Sequence, residues 1–174
     1  MKPLEEQMGI YAAYHQDRRN KLTHFIGVPV IVLSLMIPLS WVKVEPVSAA
    51  LVITAILVAY YLVLDVPLGL AMLVVMGALL WLGQLIAGLG ALWGWIGFGV
   101  LFVGGWILQL VGHVFEGRKP ALADNLFQIF VAPIFLAAEI LFALGYKPAL
   151  HSAVQARALK LRTSATDAKL TPAR

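Results

Sequence analysis

Three of the four histidines in this chain, His15, His24 and His113, lie in two polar islands that border long apolar runs. The first island reads Tyr11-Ala-Ala-Tyr-His15-Gln-Asp-Arg-Arg-Asn20-Lys-Leu-Thr-His24, and the second reads Gln109-Leu-Val-Gly-His113-Val-Phe-Glu116-Gly-Arg-Lys-Pro-Ala-Leu122. Neutral imidazole is the commonest protein ligand for transition metals. Polar, ionisable groups beside a bilayer are costly and so are usually functional or paired. These residues therefore point to a metal site at a membrane face. The plainer reading is three hydrogen-bonded histidines at an interface.

In the second island Gln109, His113 and Glu116 stand at i, i+4 and i+7, which places them on one helix face. His113 and Glu116 can then reach one ion, or the glutamate can hold the histidine's tautomer. The helix is expected to end near Gly117, with Pro120 helping to stop it. In the first island His15 and His24 are nine residues apart, roughly 900° of helical rotation, so on one straight helix they point apart. They can share a metal only across a bend. Asn20 is a good N-cap, and a break around Arg18–Asn20 would separate two short helices. Tyr11/His15 and Asn20/His24 are each i,i+4 pairs across that corner. Neither island has the two-histidine spacing of zinc proteases. Nucleophile elbows, phosphate loops and cysteine chemistry are absent as motifs, the chain having no cysteine. The fourth histidine, His151, sits in a basic tail and reads as solvated.

The elements that must position these residues belong in a membrane. Of the 174 residues 61% are hydrophobic and only 13% charged, where a soluble domain is nearer half apolar and a quarter charged. Between Pro46 and Phe115 the only charged side chain is Asp65. The reading is an all-α, polytopic integral membrane helical bundle with four to five hydrophobic helices and an N-terminal interfacial helix over residues 3–18. The apolar segments fall at 22–42, 47–64, 67–87, 89–112 and 126–145, the last containing Pro133 and Glu139. Residues 1–146 form the membrane-embedded catalytic domain and 147–174 a basic C-terminal tail. Glycines such as Gly94 and Gly105 read as helix-packing positions.

Charge placement constrains the topology. If segments one to four all cross, both islands lie on one side, and their basic residues favour the cytoplasm. A fifth crossing would put the tail, with six basic residues against Asp167, on the disfavoured side. Pro133 and Glu139 offer a broken or re-entrant last segment instead; alternatively an earlier hairpin does not cross fully. The net charge of +4 suits anionic headgroups and the positive-inside bias; no aromatic-interleaved basic surface points to nucleic acid. Asp65 is either a helix cap or a group facing the site. Glu139 is a buried partner for the site or for an arginine. Arg18, Arg19 and Arg118 are interfacial anchors, or hold a substrate carboxylate.

The pattern Tyr14-His15, Asn20, His24, Pro29, then Gln109, Gly112-His113, Glu116, Pro120-Ala-Leu122 and Asn125 resembles the fungal endoplasmic-reticulum 2-hydroxy-fatty-acid dioxygenase family and its bacterial membrane relatives, over roughly residues 5–145. The resemblance implies an iron(II)-dependent α-oxidation in which a long-chain 2-hydroxy fatty acid reacts with O2 and loses its carboxyl carbon. It implies His15, His24 and His113 as iron-site histidines, with Glu116 and Glu139 as candidate catalytic carboxylates. Asn20, Gln109 and Asn125 match as supporting groups, beside Tyr11 from the pairing with His15. The hydroxy acid could chelate iron through its hydroxyl and carboxylate, leaving room for O2. The implied location is the bacterial inner membrane in a bacterium or the endoplasmic reticulum in a eukaryote, with the site facing the cytoplasm and membrane lipid around it. Two rivals stand: a non-enzymatic lipid-binding or structural protein, whose histidines should scatter, and another metal-dependent lipid-modifying enzyme, which usually carries more clustered histidines.

Overall fold

The computed structural model describes residues 3–120 and 125–170, with side chains to Ser164. Lys2, Ala121, Leu122 and Arg174 lie outside the described residues, as do the side chains of Asp167 and Lys169. Seven helices appear among the described residues: α1 (Leu4–Ala13), α2 (Arg18–Trp41), α3 (Ala49–Leu64), α4 (Val66–Gly88), α5 (Ala91–Glu116), α6 (Gln128–Ala143) and α7 (Pro148–Leu170). A two-strand hairpin, β1 (Lys43–Val44) and β2 (Val47–Ser48), joins α2 to α3. The chain is all-α with membrane character, as its composition requires.

Local chemistry sets the boundaries. Glu5 and Glu6 occupy the first turn of α1, where carboxylates meet the positive end of the helix dipole. The α1–α2 corner lies at Tyr14–Asp17, a few residues earlier than the sequence places it. Asp17, not Asn20, caps α2, its carboxylate accepting from the Arg19 amide at 2.8 Å. Asn20 is already helical, and its side chain is used across the corner. Asp65 caps α4 by accepting from the Leu68 amide at 3.1 Å, with proline next in the first turn. It also pairs with Lys147, so of its two readings the cap holds. Gly117, left-handed at φ 67°, ends α5 where a C-terminal glycine was expected.

Helices α2, α4 and α5 are long and apolar enough to cross a membrane, while α3 and α6 are shorter apolar helices. At 16 residues each, those two are about 24 Å long against a hydrocarbon core of about 30 Å. Large apolar side chains face outward along α3 to α5, among them Val63, Val74, Leu92 and Val100, each at least 67% exposed. An apolar surface of that extent is the membrane-like character of the fold.

The last apolar segment does not run the depth of the bundle. Phe127, at the start of α6, sets its ring against Tyr60, whose hydroxyl bonds Gln7 of α1. Near the other end, Glu139 accepts from Lys21 on the first turn of α2 at 2.6 Å. Both ends of α6 therefore lie at the same end of α2. Helix α3 returns the chain to that end, where Tyr60 bonds Gln7 of α1 and the Tyr61 hydroxyl donates to the Phe130 carbonyl at 2.8 Å. The resulting architecture is four alternating helices, α2 to α5, with α1, α6 and α7 laid over one end. Val154 and Ala158 of α7 are fully buried, and the Arg157 side chain packs on Gly9 of α1.

Helices α2 and α5 pack closely over the site. A Cβ on Gly112 would come within 2.5 Å of the Asn20 amide oxygen and also collide with Thr23. Gly105 meets Ile31 in the same way, at 2.6 Å. Small residues thus let α5 bring His113 against α2.

Candidate metal centre

The three island histidines converge. One ring nitrogen from each of His15, His24 and His113 lies within 4.8 Å of the others, and all three residues are buried. The Nε2 atoms of His15 and His24 are 3.1 Å apart. The corner makes this possible: His15 sits in the linker after α1, and His24 is on the second turn of α2. His113 enters from the last turn of α5.

The tautomers follow from the backbone. His15 Nδ1 is 2.7 Å from the Tyr11 carbonyl, and His24 Nδ1 is 2.9 Å from the Asn20 carbonyl. A carbonyl only accepts, so in each ring Nδ1 carries the proton and donates. Each Nε2 is then left with a lone pair, and the two lone pairs face each other without a proton between them. A cation resolves that repulsion. Two imidazole nitrogens at that spacing, each about 2.1 Å from a shared ion, subtend roughly 95° at it, between the octahedral and tetrahedral angles. His113 Nδ1 is buried without a hydrogen-bond partner. The donor set and this orphaned nitrogen fit a first-row metal ion. Burial, with His24 beside it, pushes the pKa of His15 well below the usual 6.5, so its ring is held neutral as a ligand must be. The Tyr11 ring stacks on His15, with centroids 4.0 Å apart and planes within 6°. This fixes the imidazole's plane.

Glu116 stands apart from the histidines and organises the corner. Its Oε2 accepts from the Gln16 amide at 2.9 Å, the Asp17 amide at 2.8 Å and Asn20 Nδ2 at 3.1 Å. Its Oε1 accepts from Arg162 of α7 at 2.6 Å. Four donors occupy this carboxylate, and its side chain is 1% exposed. Asn20 Nδ2 also reaches the Tyr14 carbonyl at 3.1 Å, while its own carbonyl takes His24. The linker that bears His15 and the turn that bears His24 are thus held by one glutamate.

Tyr11 and Gln109 line the histidine pocket, and Gln109 Nε2 is buried without a partner. Glu139 is bound to Lys21, with its second oxygen buried and unpartnered. Asn125 is exposed and its side chain caps the local turn, accepting from the Phe127 amide at 3.0 Å. Arg18 is exposed. Arg19 chelates Asp17 and lies over the Phe115 ring at 4.6 Å. Arg118 is half-buried, and none of the three arginines lines the histidine pocket.

Two contributors went unread in the sequence. Gln128 is 2% exposed, lines the pocket and has an unpartnered Oε1. An amide inside an apolar run was the signal for it. Arg162 had no signal, because a basic residue in a basic tail says nothing about a glutamate 46 positions earlier. The pocket is a cavity of about 100 Å³ whose walls are mostly apolar away from the histidines, including Val28, Ile31, Val32, Leu35, Trp106 and Ala132.

The family described as 2-hydroxy-palmitic acid dioxygenase Mpo1-like matches residues 1–144. The chain is 40% identical over 166 residues to the 2-hydroxy-palmitic acid dioxygenase MPO1 of Saccharomyces cerevisiae, covering 87% of each chain. No solved structure matches it. With the histidines converged and the match extending over nearly all of the membrane part, the chain belongs to the Mpo1-like 2-hydroxy-palmitic acid dioxygenase family.

Proposed function

We propose that this protein is a membrane-bound, iron(II)-dependent dioxygenase that shortens long-chain 2-hydroxy fatty acids by one carbon. The observation that carries the reading is the convergence of His15, His24 and His113 with the His15 and His24 tautomers set to leave Nε2 free. Family membership supplies the substrate class. In the overall reaction the 2-hydroxy acid and O2 give the shorter acid, CO2 and water, which balances without another reductant. Bound iron supplies the one-electron chemistry that ground-state O2 needs.

The residues of the chain do the positioning. His15, His24 and His113 would hold the ion, with the pocket beside them left for substrate. The carbonyls of Tyr11 and Asn20 keep two of the rings in the ligating tautomer. Gln109, with a free amide donor in the pocket wall, holds a substrate oxygen, and Gln128 offers an acceptor to the hydroxyl. Glu116 acts as a positioning residue through the corner it ties together. Glu139 acts through Lys21, whose positive charge lies near enough to bear on His15. We place the site at the cytoplasmic face, of the inner membrane in a bacterium or of the endoplasmic reticulum in a eukaryote. The basic residues at the start of α2 (Arg18, Arg19 and Lys21), in the α5–α6 linker (Arg118 and Lys119) and in α7 support this.

Purified protein is expected to hold about one iron per chain by the three-histidine count. His113→Ala should lose the metal and at least about 100-fold in 2-hydroxy acid turnover. Metal analysis together with O2 uptake and product chromatography checks both. Full turnover by metal-stripped protein would overturn the reading.

A further inference from the structure

The histidine pocket does not stop at the histidines. Along α2 its wall is formed by His24, Val28, Ile31, Val32 and Leu35, spaced i, i+4, i+7, i+8 and i+11. Those positions make one continuous stripe on a helix. Trp106 of α5 and Ile129 and Ala132 of α6 flank the stripe. The groove therefore starts at a metal ligand and runs along the apolar part of α2, its lower lining hydrocarbon and aromatic; its enclosed volume of about 100 Å³ is less than a long alkyl chain occupies, so such a chain would lie along it with one side uncovered.

From His24 to Leu35 the helix rises about 16 Å. An extended alkyl chain, with C–C bonds of about 1.5 Å and angles near 111°, advances roughly 1.25 Å per carbon. The stripe thus matches about thirteen carbon steps. With the hydroxyl and carboxylate held at the histidines, an acid of roughly fourteen to sixteen carbons ends at Leu35.

We infer that this groove is the acyl-chain site and that Leu35 is the residue that sets the preferred chain length. The inference rests on the dioxygenase reading of the histidine site. A second cavity, of about 270 Å³, lies on the other side of the α2–α6 seam, walled by Met72 and Met76 of α4 and Ala137 of α6. It shares Val28 and Val32 with the groove. No histidine lines it, so a chain held at the metal reaches the groove directly and reaches the second cavity only past the two valines.

The test compares kcat/KM for 2-hydroxypalmitate with that for 2-hydroxyoctanoate in detergent-solubilised protein. Leu35→Trp should lower the long-to-short ratio by more than about tenfold, since each excluded methylene is worth about fourfold. Leu35→Ala should move the preference to acids longer than palmitate. Ala137→Phe, which fills the second cavity, should leave the ratio unchanged. A 2-hydroxy fatty acid with a terminal diazirine, bound without O2, should label the peptide around Leu35. Metal content is measured for every variant, so that a misfolded protein is not scored. The inference is overturned if both Leu35 variants keep the ratio, if all chain lengths fall alike, or if Ala137→Phe shifts the ratio or the second cavity takes the label. Wild-type protein inactive on every chain length overturns the dioxygenase reading and this inference with it. Wild-type activity with an unmoved ratio overturns this inference alone.

Discussion

At the scale of single residues, the decisive feature is the proton on Nδ1 of His15 and His24. A carbonyl four residues back in the chain accepts it in each case, so the ligating tautomer is a local property of the i,i+4 pairs Tyr11/His15 and Asn20/His24. Those pairs were visible in the sequence; the direction in which each ring points was not. The same chemistry sets a pH dependence. The folded pKa of His15 lies well below 6.5, so below that pH the unfolded chain binds a proton that the folded chain does not. Stability therefore falls as pH drops through 6.5 and continues to fall toward the depressed folded value. Proton competition lowers metal affinity in the same direction. Thermal unfolding and metal retention measured between pH 8 and pH 5 should both decline on the acid side. Neither should decline in a His15→Gln variant to the same extent. A flat profile across that range would contradict a buried neutral His15.

At the scale of elements, Glu116 joins three of them. It ends α5, receives the start of α2 through the Gln16 and Asp17 amides and the Asn20 side chain, and binds Arg162 of α7. The sequence placed it beside His113 on one helix face and so made it a candidate for direct chemistry. The fold turns its carboxylate to the corner instead, because two linker amides at the start of α2 lack helical partners and need an acceptor. Glu116→Ala is expected to weaken metal binding by about tenfold while the spectrum of the bound metal keeps its histidine signature. Arg162→Met should reproduce part of that loss, since it removes one of the four donors. A changed ligand field in Glu116→Ala, measured by electron paramagnetic resonance or X-ray absorption, would instead make Glu116 a ligand. The three arginines show the complementary case. Their type suited a carboxylate, yet Arg18 is exposed and Arg19 is engaged by its own neighbour Asp17. A charge's partner depends on where the backbone turns.

At the scale of the whole molecule, the arrangement of α6 reconciles charge with topology. Four alternating helices return the chain to the end where it began, and α6 stays at that end, joined to the site layer through Gln128 and Glu139. The basic α7 then packs on α1. The chain has no cysteine, so single-cysteine labelling needs no background removal. In sealed membranes a cysteine at Glu5 and one at Lys160 should react from the same side. Cysteines at Val44 and Gly90, in the hairpin and in the α4–α5 turn, should react from the other. Labelling of Lys160 and Val44 from one side would refute the arrangement.

The sequence was enough for the membrane-like helical class and for the two islands that bear the converging histidines, because hydropathy and the 3.6-residue period are properties of neighbouring residues. It also determined that His15 and His24 need a bend to meet. Where that bend lies, that Asp17 and not Asn20 caps the second helix, and that α6 lies over the bundle came from the folded chain. It alone brought His113 to the other two and aligned Val28 to Leu35 into a groove beneath them. Each of these depends on contacts between residues tens of positions apart, and burial or a hydrogen bond to a distant partner leaves no periodic mark in the chain.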